Sequence, residues 1–288
     1  HLLINETELW PLMLANLQHL SIPFGLINAR INSRTVRLIN LLLPLFSQGL
    51  AGLRFVFPQT PEYESRFLKL HIPRHKLSVL GSYKYDIDVP PFKPESLRRC
   101  YGVPPGRKIF CCGSTHAGEE EQILQALEPF WKEFGMTLIL APRHLQRVPE
   151  VEALLREKKL EFCRLSQLQQ PLRQVLLVDQ LGELRKLYAI SDLAFVGGSI
   201  IPRGGHNLLE PAAFGVPILT GPHTFNFKAE AEALRKADGM REVTDVASLQ
   251  TVIHEFRESP LPFQRLGKRG QGVLVTLSGA VDRTISSL

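Results

Sequence analysis

Three observations predict an α/β chain built on parallel sheets. Short apolar runs of strand length alternate with longer amphipathic stretches, the pattern of strands joined by crossover helices. Glycine-rich or hydroxyl-rich loops follow apolar runs directly, at Gly113-Ser114-Thr115 and at Gly197-Gly198. Between the halves lies Asp86 to Pro94, rich in proline and acidic residues, which reads as a linker. A chain of 288 residues with 44% hydrophobic residues can bury two cores.

In chain order, His1 to Asn5 reads as a parallel strand and a helix runs on to about Leu20. Ile22 to Ile27 is the next strand, Thr35 to Phe46 a helix, Leu53 to Phe57 a strand, Pro61 to Leu70 a helix and Lys76 to Leu80 a strand. After the linker and a short helix from Glu95 to Tyr101, a second alternation begins at the strand Lys108 to Cys112. A helix to about Phe134, the strand Met136 to Leu140 and the helix Val151 to Lys158 come next. Val175 to Val178 is a strand, and Leu181-Gly182-Glu183-Leu184 opens a helix through Ile190. Leu193 to Val196 is a strand, Leu208 to Phe214 a helix closed by Gly215, and Val216 to Leu219 a strand. Ala229 to Ala237 is a helix, and the tail Leu266 to Leu288 reads as a helix broken by Gly267, Gly270, Gly272 and Gly279.

Composition narrows the chemistry. Cys100, Cys111, Cys112 and Cys163 have no C-x-x-C spacing, which argues against a disulfide framework, and the scattered histidines contain no H-E-x-x-H. No G-x-G-x-x-G follows a strand and no G-x-x-x-x-G-K-[ST] is present, which disfavours nicotinamide and P-loop chemistry. Asp86-Ile87-Asp88 has the letters of a metal-binding D-x-D but falls in the linker, so no metal or cofactor is expected. A net charge of +6 suits an anionic partner. Between Leu9 and Pro61 stand Arg30, Arg34, Arg37 and Arg54 with no acidic residue. Spacings of four and three let Arg30, Arg34 and Arg37 share a helix face suited to phosphate or anionic headgroups; a solvated face is the plainer alternative. Nucleic acid is disfavoured because aromatics are not interleaved with these charges. The apolar region Leu38 to Phe57 is interrupted by Asn40, Pro44, Ser47, Gln48 and Arg54, unlike a membrane span.

The chemistry concentrates after the strand Leu193 to Val196. Glycine pairs Gly197-Gly198 and Gly204-Gly205, then His206-Asn207 and a helix start, form a candidate anion cradle. Glu210, in the first turn of that helix, suits paired hydroxyls such as those of a ribose; a glycine corner with a solvated glutamate is the alternative. Gly113, Ser114 and Thr115 make a second candidate cradle, which a capping box with the following glutamates would also explain. Arg143, at the end of the next strand, could grip a phosphate or carboxylate with its forked donors.

These stretches resemble the Kdo transferases, which move 3-deoxy-D-manno-octulosonic acid (Kdo) from its CMP ester to the lipid A precursor. The resemblance rests on GGHNLLEPAAFGVPI followed by GPHTFNF, on GST-x-x-GEE, PRH, D-x-LGEL, ETELWP, NARINSRT and GSYKYD, and spans nearly the whole chain. His116 departs from it, standing where many relatives carry Arg. The resemblance implies two Rossmann-like domains of the glycosyltransferase B type, the first one truncated. Residues 1–88 would be the remainder of an acceptor-binding domain, 89–265 a nucleotide-sugar-binding domain and 266–288 a helix returning toward the first. It implies an inverting, metal-independent transfer with donor contacts from Gly113, Ser114, Thr115, Arg143, Gly204, Gly205, His206, Asn207 and Glu210. Arg30, Arg34 and Arg37 would serve the acceptor or membrane, at the cytoplasmic face of the bacterial inner membrane. The family's glutamate base lies in a GASVGE-like motif not found in this sequence, which leaves Glu6 and Glu8 as substitutes and predicts little transfer by this chain as written. A UDP-sugar transferase or epimerase and a non-catalytic lipid A- or membrane-binding protein are the competing readings.

Overall fold

The structure, a computed structural model, describes residues 2–131, 135–168, 171–172 and 174–288, apart from the side chains at 43 and 48. His1 and Phe134, the expected limits of two elements, lie outside the described residues. The chain divides into two compact units, one comprising 1–87 and 275–288 and the other 88–274.

The first unit holds β1 (Leu2–Asn5), α1 (Pro11–His19), β2 (Phe24–Ala29), α2 (Ser33–Leu41), α3 (Leu43–Leu50), β3 (Leu53–Pro58) and α4 (Pro61–Leu68). Its sheet has the parallel order β1-β2-β3. β1 is an edge strand, and Leu2 and Leu3 are exposed there. The helix expected over Thr35 to Phe46 is two helices; Pro44 has no N–H to continue the hydrogen-bond ladder, and the chain breaks at Leu42. Lys76 to Leu80 is not a strand. A 3₁₀ turn occupies Arg74–Lys76, and only the amides of Ser78 and Leu80 bond β3, at 3.1 and 3.2 Å.

The second unit runs α5 (Pro94–Cys100), β4 (Lys108–Thr115), α6 (Glu119–Leu127), β5 (Met136–Pro142), α7 (Val148–Glu157), β6 (Phe162–Arg164), β7 (Val175–Leu177), α8 (Leu184–Ala189), β8 (Leu193–Val196), α9 (Leu209–Ala213), β9 (Ile218–Thr220), α10 (Lys228–Lys236), β10 (Arg241–Glu242) and α11 (Val246–Glu258). α12 (Pro260–Leu277) and α13 (Ala280–Ser287) complete the chain. The sheet order is β10-β9-β8-β4-β5-β7-β6, parallel throughout. Side chains alternate across it: Phe110 and Cys112 of β4 pack on one core, Ile109 and Cys111 on the other. The chain passes from β4 to β5, on to the edge strand β6 and back to β7 between them, then restarts at β8 beside β4. β4 and β8 therefore flank a topological switch point, and a crevice opens at their carboxyl ends.

The tail glycines do not break the helix as expected. α12 is continuous through Gly267, Gly270 and Gly272. A Cβ on Gly267 would lie 2.0 Å from the carbonyl oxygen of Gly215, so that glycine permits close approach of helix and loop. Only Gly279, at φ 86°, interrupts, and it starts α13. There Asp86, expected to be a linker residue, accepts the amides of Gly279, Ala280 and Val281.

Candidate functional site

The site is assembled where β4, β5, β7 and β8 end. Ser114, in the left-handed conformation at φ 56°, turns out of β4, and the amide of Arg143 bonds the Thr115 carbonyl at 2.9 Å, tying the ends of β4 and β5 together. A cavity of about 280 Å³ opens here. Ser114, Arg143, Gln180, Arg185 and Glu210 give it polar walls, and Leu145, Leu181 and Leu184 apolar ones. Few polar groups converging on a partly apolar hollow is the usual form of a small-molecule site.

Glu210 is half-buried, and burial pushes its carboxyl above the usual range; the Asn207 amide, at 3.3 Å, and the charges of Arg185 and Arg143 work the other way. Asn207 also accepts the Leu209 amide at 3.1 Å, so it orients Glu210 and caps the start of α9. α9 therefore offers fewer free amides than its sequence suggested.

The larger correction concerns the glycine-rich loops. The amides of Gly198, Ser199 and Ile200 are not open to a ligand. They donate to Glu119 at 2.7, 2.9 and 3.1 Å, and His116 donates a fourth amide bond at 3.0 Å. Glu119 is fully buried, and burial raises its carboxyl despite these four donors. The nest expected to bind an external anion thus holds the protein's own carboxylate. Nor do Ser114 and Thr115 cap α6, whose N-cap is Gly118 and whose first turn carries Glu119, Glu120 and Glu121. Thr115 is fully buried with its hydroxyl unpaired among the described residues, and it does not line the cavity. Gly113 is a packing residue, since a Cβ there would sit 2.0 Å from the Tyr188 hydroxyl.

Gly204 and Gly205, at φ 93° and 73°, shape the loop without lining the cavity. A Cβ on Gly204 would strike the Asn226 side chain, whose amide group donates to the Arg203 carbonyl at 2.9 Å. His223 donates its amide to Ser199 at 2.9 Å, so the GPHTFNF stretch braces the loop from outside. Within D-x-LGEL, Asp179 holds the Ser166 amide at 2.9 Å, and Glu183 accepts from Tyr101 and Lys186, each at 2.8 Å. Both acids are structural, while Leu181, Gly182 and Leu184 of the same motif reach the cavity.

His206 does not line the cavity but stands beside it. Its Nε2 lies 2.8 Å from Nε2 of His116, with the two rings nearly parallel and their centres 5.1 Å apart, and His144 meets His116 edge-on at 5.6 Å. Burial, with His116, Arg143 and His144 nearby, holds His206 down to about 4. Sequence reasoning missed Arg185, Glu119 and this pairing. Arg185 had one signal, its place in the first turn after a strand-end loop; the other two depend on which loops the sheet order brings together.

In the first unit, the expected arginine face is smaller than its spacing implied. Arg30 precedes α2, which Asn32 caps by accepting the Thr35 amide at 2.8 Å, and its guanidinium bonds Glu6 at 2.7 Å. Arg34 and Arg37 remain on α2, exposed beside Leu38 and Leu41. Glu6 and Glu8 share a second polar cavity of about 350 Å³ with Arg30, Asn32 and Tyr63. Glu8 accepts the Trp10 indole N–H at 2.8 Å.

A family model described as 3-deoxy-D-manno-octulosonic-acid transferase (kdotransferase) matches residues 1–87. Over 293 residues the chain is 35% identical to the 3-deoxy-D-manno-octulosonic acid transferase of Haemophilus influenzae, covering 99% of this chain and 68% of that protein. The crystal structure of the C-terminal CMP-Kdo binding domain of WaaA from Acinetobacter baumannii is similar with a TM-score of 0.59 and 32% identity, over 63% of this chain and 95% of that one. The UDP-GlcNAc 2-epimerase of Neisseria meningitidis, bound to UDP-GlcNAc, gives the same TM-score over 99% of this chain and 75% of its own. At 15% identity that likeness shows the fold alone, and it agrees with the α/β, glycosyltransferase B type architecture expected from the sequence.

Proposed function

Since the chain belongs to the 3-deoxy-D-manno-octulosonic acid transferase family, a family of glycosyltransferases, we propose that its second unit binds CMP-Kdo for transfer of Kdo to the lipid A precursor. The observation that carries this reading is the convergence of Arg143, Arg185 and Glu210 on one cavity at the switch point. Two guanidinium groups suit the ester phosphate, and a carboxylate between them and Asn207 suits the ribose hydroxyls. The similarity to a CMP-Kdo binding domain supports the same donor.

The chemistry follows from the donor. As the acceptor hydroxyl gives its proton to a base and its oxygen bonds the anomeric carbon from the opposite face, the bond from that carbon to the phosphate oxygen breaks. CMP departs as a monoester carrying more charge than the diester did, and Arg143 and Arg185 meet that charge without calling on a metal ion. The first unit would hold the acceptor, and Glu6 and Glu8 line a polar cavity there. Exposed Arg34 and Arg37, beside exposed Leu38 and Leu41, suit anionic headgroups over acyl chains, so we place the protein peripherally at the inner membrane. Among the described residues, no helix is long and apolar enough to cross a membrane.

Thermal unfolding in the presence of CMP, UMP or UDP tests the donor. CMP should raise the midpoint more than equal concentrations of the uridine nucleotides. Equal or greater protection by UDP would replace this reading with a UDP-sugar enzyme of the same fold.

A further inference from the structure

Four contacts link two histidines to residues that line the cavity just described. Arg143 lines it, and its chain neighbour His144 meets His116 edge-on. His116 meets His206 nitrogen to nitrogen, and the chain neighbour of His206, Asn207, bonds Glu210, which also lines the cavity. The Nε2 to Nε2 separation of 2.8 Å is a hydrogen bond, so one ring carries its proton on Nε2 and the other accepts there. The accepting ring then has its proton on Nδ1, and the donating ring has a free Nδ1. A second proton can enter at that free Nδ1 without disturbing the bridge. The pair becomes a single cation with two outward N–H donors. Among the described residues, no protein hydrogen-bond partner takes either Nδ1.

The surroundings decide when this happens. Glu119 and Glu120, on α6, do little to favour the cation: Glu119 is occupied by four amides, and Glu120 bonds Arg147 at 2.8 Å. Arg143, His144 and Arg147 face the pair from the segment after β5, and Arg203 from the glycine loop. Burial first, and these cations after it, hold both imidazoles neutral at pH 7. An anion arriving beside them offsets that repulsion, and affinity and proton uptake are then linked.

We propose that His116 and His206 form a one-proton imidazole pair that binds an anionic oxygen of the donor, the phosphate or the sugar-acid carboxylate, and takes up a proton from solvent as it does so. This rests on the second unit being the donor site, and the test separates the two claims. Calorimetry at pH 7.5 in two buffers of different ionisation enthalpy measures protons taken up on binding, with CMP as one ligand and freshly generated CMP-Kdo as the other. Uptake of a substantial fraction of a proton with CMP assigns the pair to phosphate. Uptake with CMP-Kdo alone assigns it to the carboxylate. Whichever ligand gives uptake should bind tighter at pH 6.5 than at 7.5 by up to 10-fold, and H116Q and H206Q should bind it with no uptake. If both ligands bind the unaltered protein with no uptake, the pair is structural and the donor site stands. If neither binds, the donor reading fails and takes this inference with it.

Discussion

The carboxylate of Glu119 accepts the amide of Gly198 at 2.7 Å, closing from inside a nest that glycine-rich loops usually present to ligands. Replacing Glu119 with Ala would leave the amides of Gly198, Ser199, Ile200 and His116 without that acceptor. Glu119→Ala should therefore lose about 3 kcal/mol or more in urea unfolding, since each buried unpaired donor costs about 1–3 kcal/mol. Glu119→Gln keeps one acceptor oxygen and should lose less. A loss under about 0.5 kcal/mol for both, typical of a surface change, would show that the loop holds itself.

The histidine pair gives stability a definite pH dependence. The folded value for His206 is about 4 against an ordinary 6.5, and His116 is lowered too. The unfolded chain thus binds more protons across that window, and stability rises with pH from about 4 to 6.5. Urea midpoints at pH 4.5, 5.5 and 7 should increase in that order, with a shallower slope for His206→Gln. Parallel slopes for the two proteins would mean that other groups set the dependence.

Two glycines of α12 should respond in opposite directions to alanine. Gly267→Ala places a methyl 2.0 Å from the backbone oxygen of Gly215 and should cost about 1–3 kcal/mol. Gly272→Ala meets nothing within 4 Å and should gain about 0.5–1 kcal/mol from helix propensity. Denaturant midpoints check both signs, and a stabilised Gly267→Ala would contradict the close helix-to-loop contact.

These positions also mark how far the sequence could be read. Strand-length apolar runs gave the starts of β4, β5 and β8 because their burial is continuous, while β4 and β5 run three and two residues further than read; the ends of β4 and β5 line the cavity, and the loop after β8 does not. The short strands at Phe162–Arg164 and Arg241–Glu242, and the helix α11, passed unread; the two strands are too short to show a period. Glycine was misread twice, as a helix breaker at Gly267 and as a ligand cradle at Gly198. In both places it serves close approach to groups distant in sequence, Gly215 and Glu119, which no local pattern reveals. Arg30 failed for a related reason, since its helical spacing assumed a helix that begins only at Ser33.

Arg34 and Arg37 should attract anionic bilayers. Charge reversal of each to Glu should weaken co-sedimentation with anionic vesicles at low salt, by about 1 kcal/mol for each charge removed. The effect should fade as salt screens it. Binding indifferent to both substitutions and to salt would leave this face merely solvated.

The central claim is that Arg143, Arg185 and Glu210 form the nucleotide site, and titration calorimetry with CMP tests it directly. The unaltered chain should bind CMP at one site. Glu210→Gln should weaken that binding by about 1–3 kcal/mol, the loss of a charge-assisted hydrogen bond to the ribose. Unchanged affinity in both Glu210→Gln and Arg143→Ala would place the nucleotide elsewhere and contradict the account.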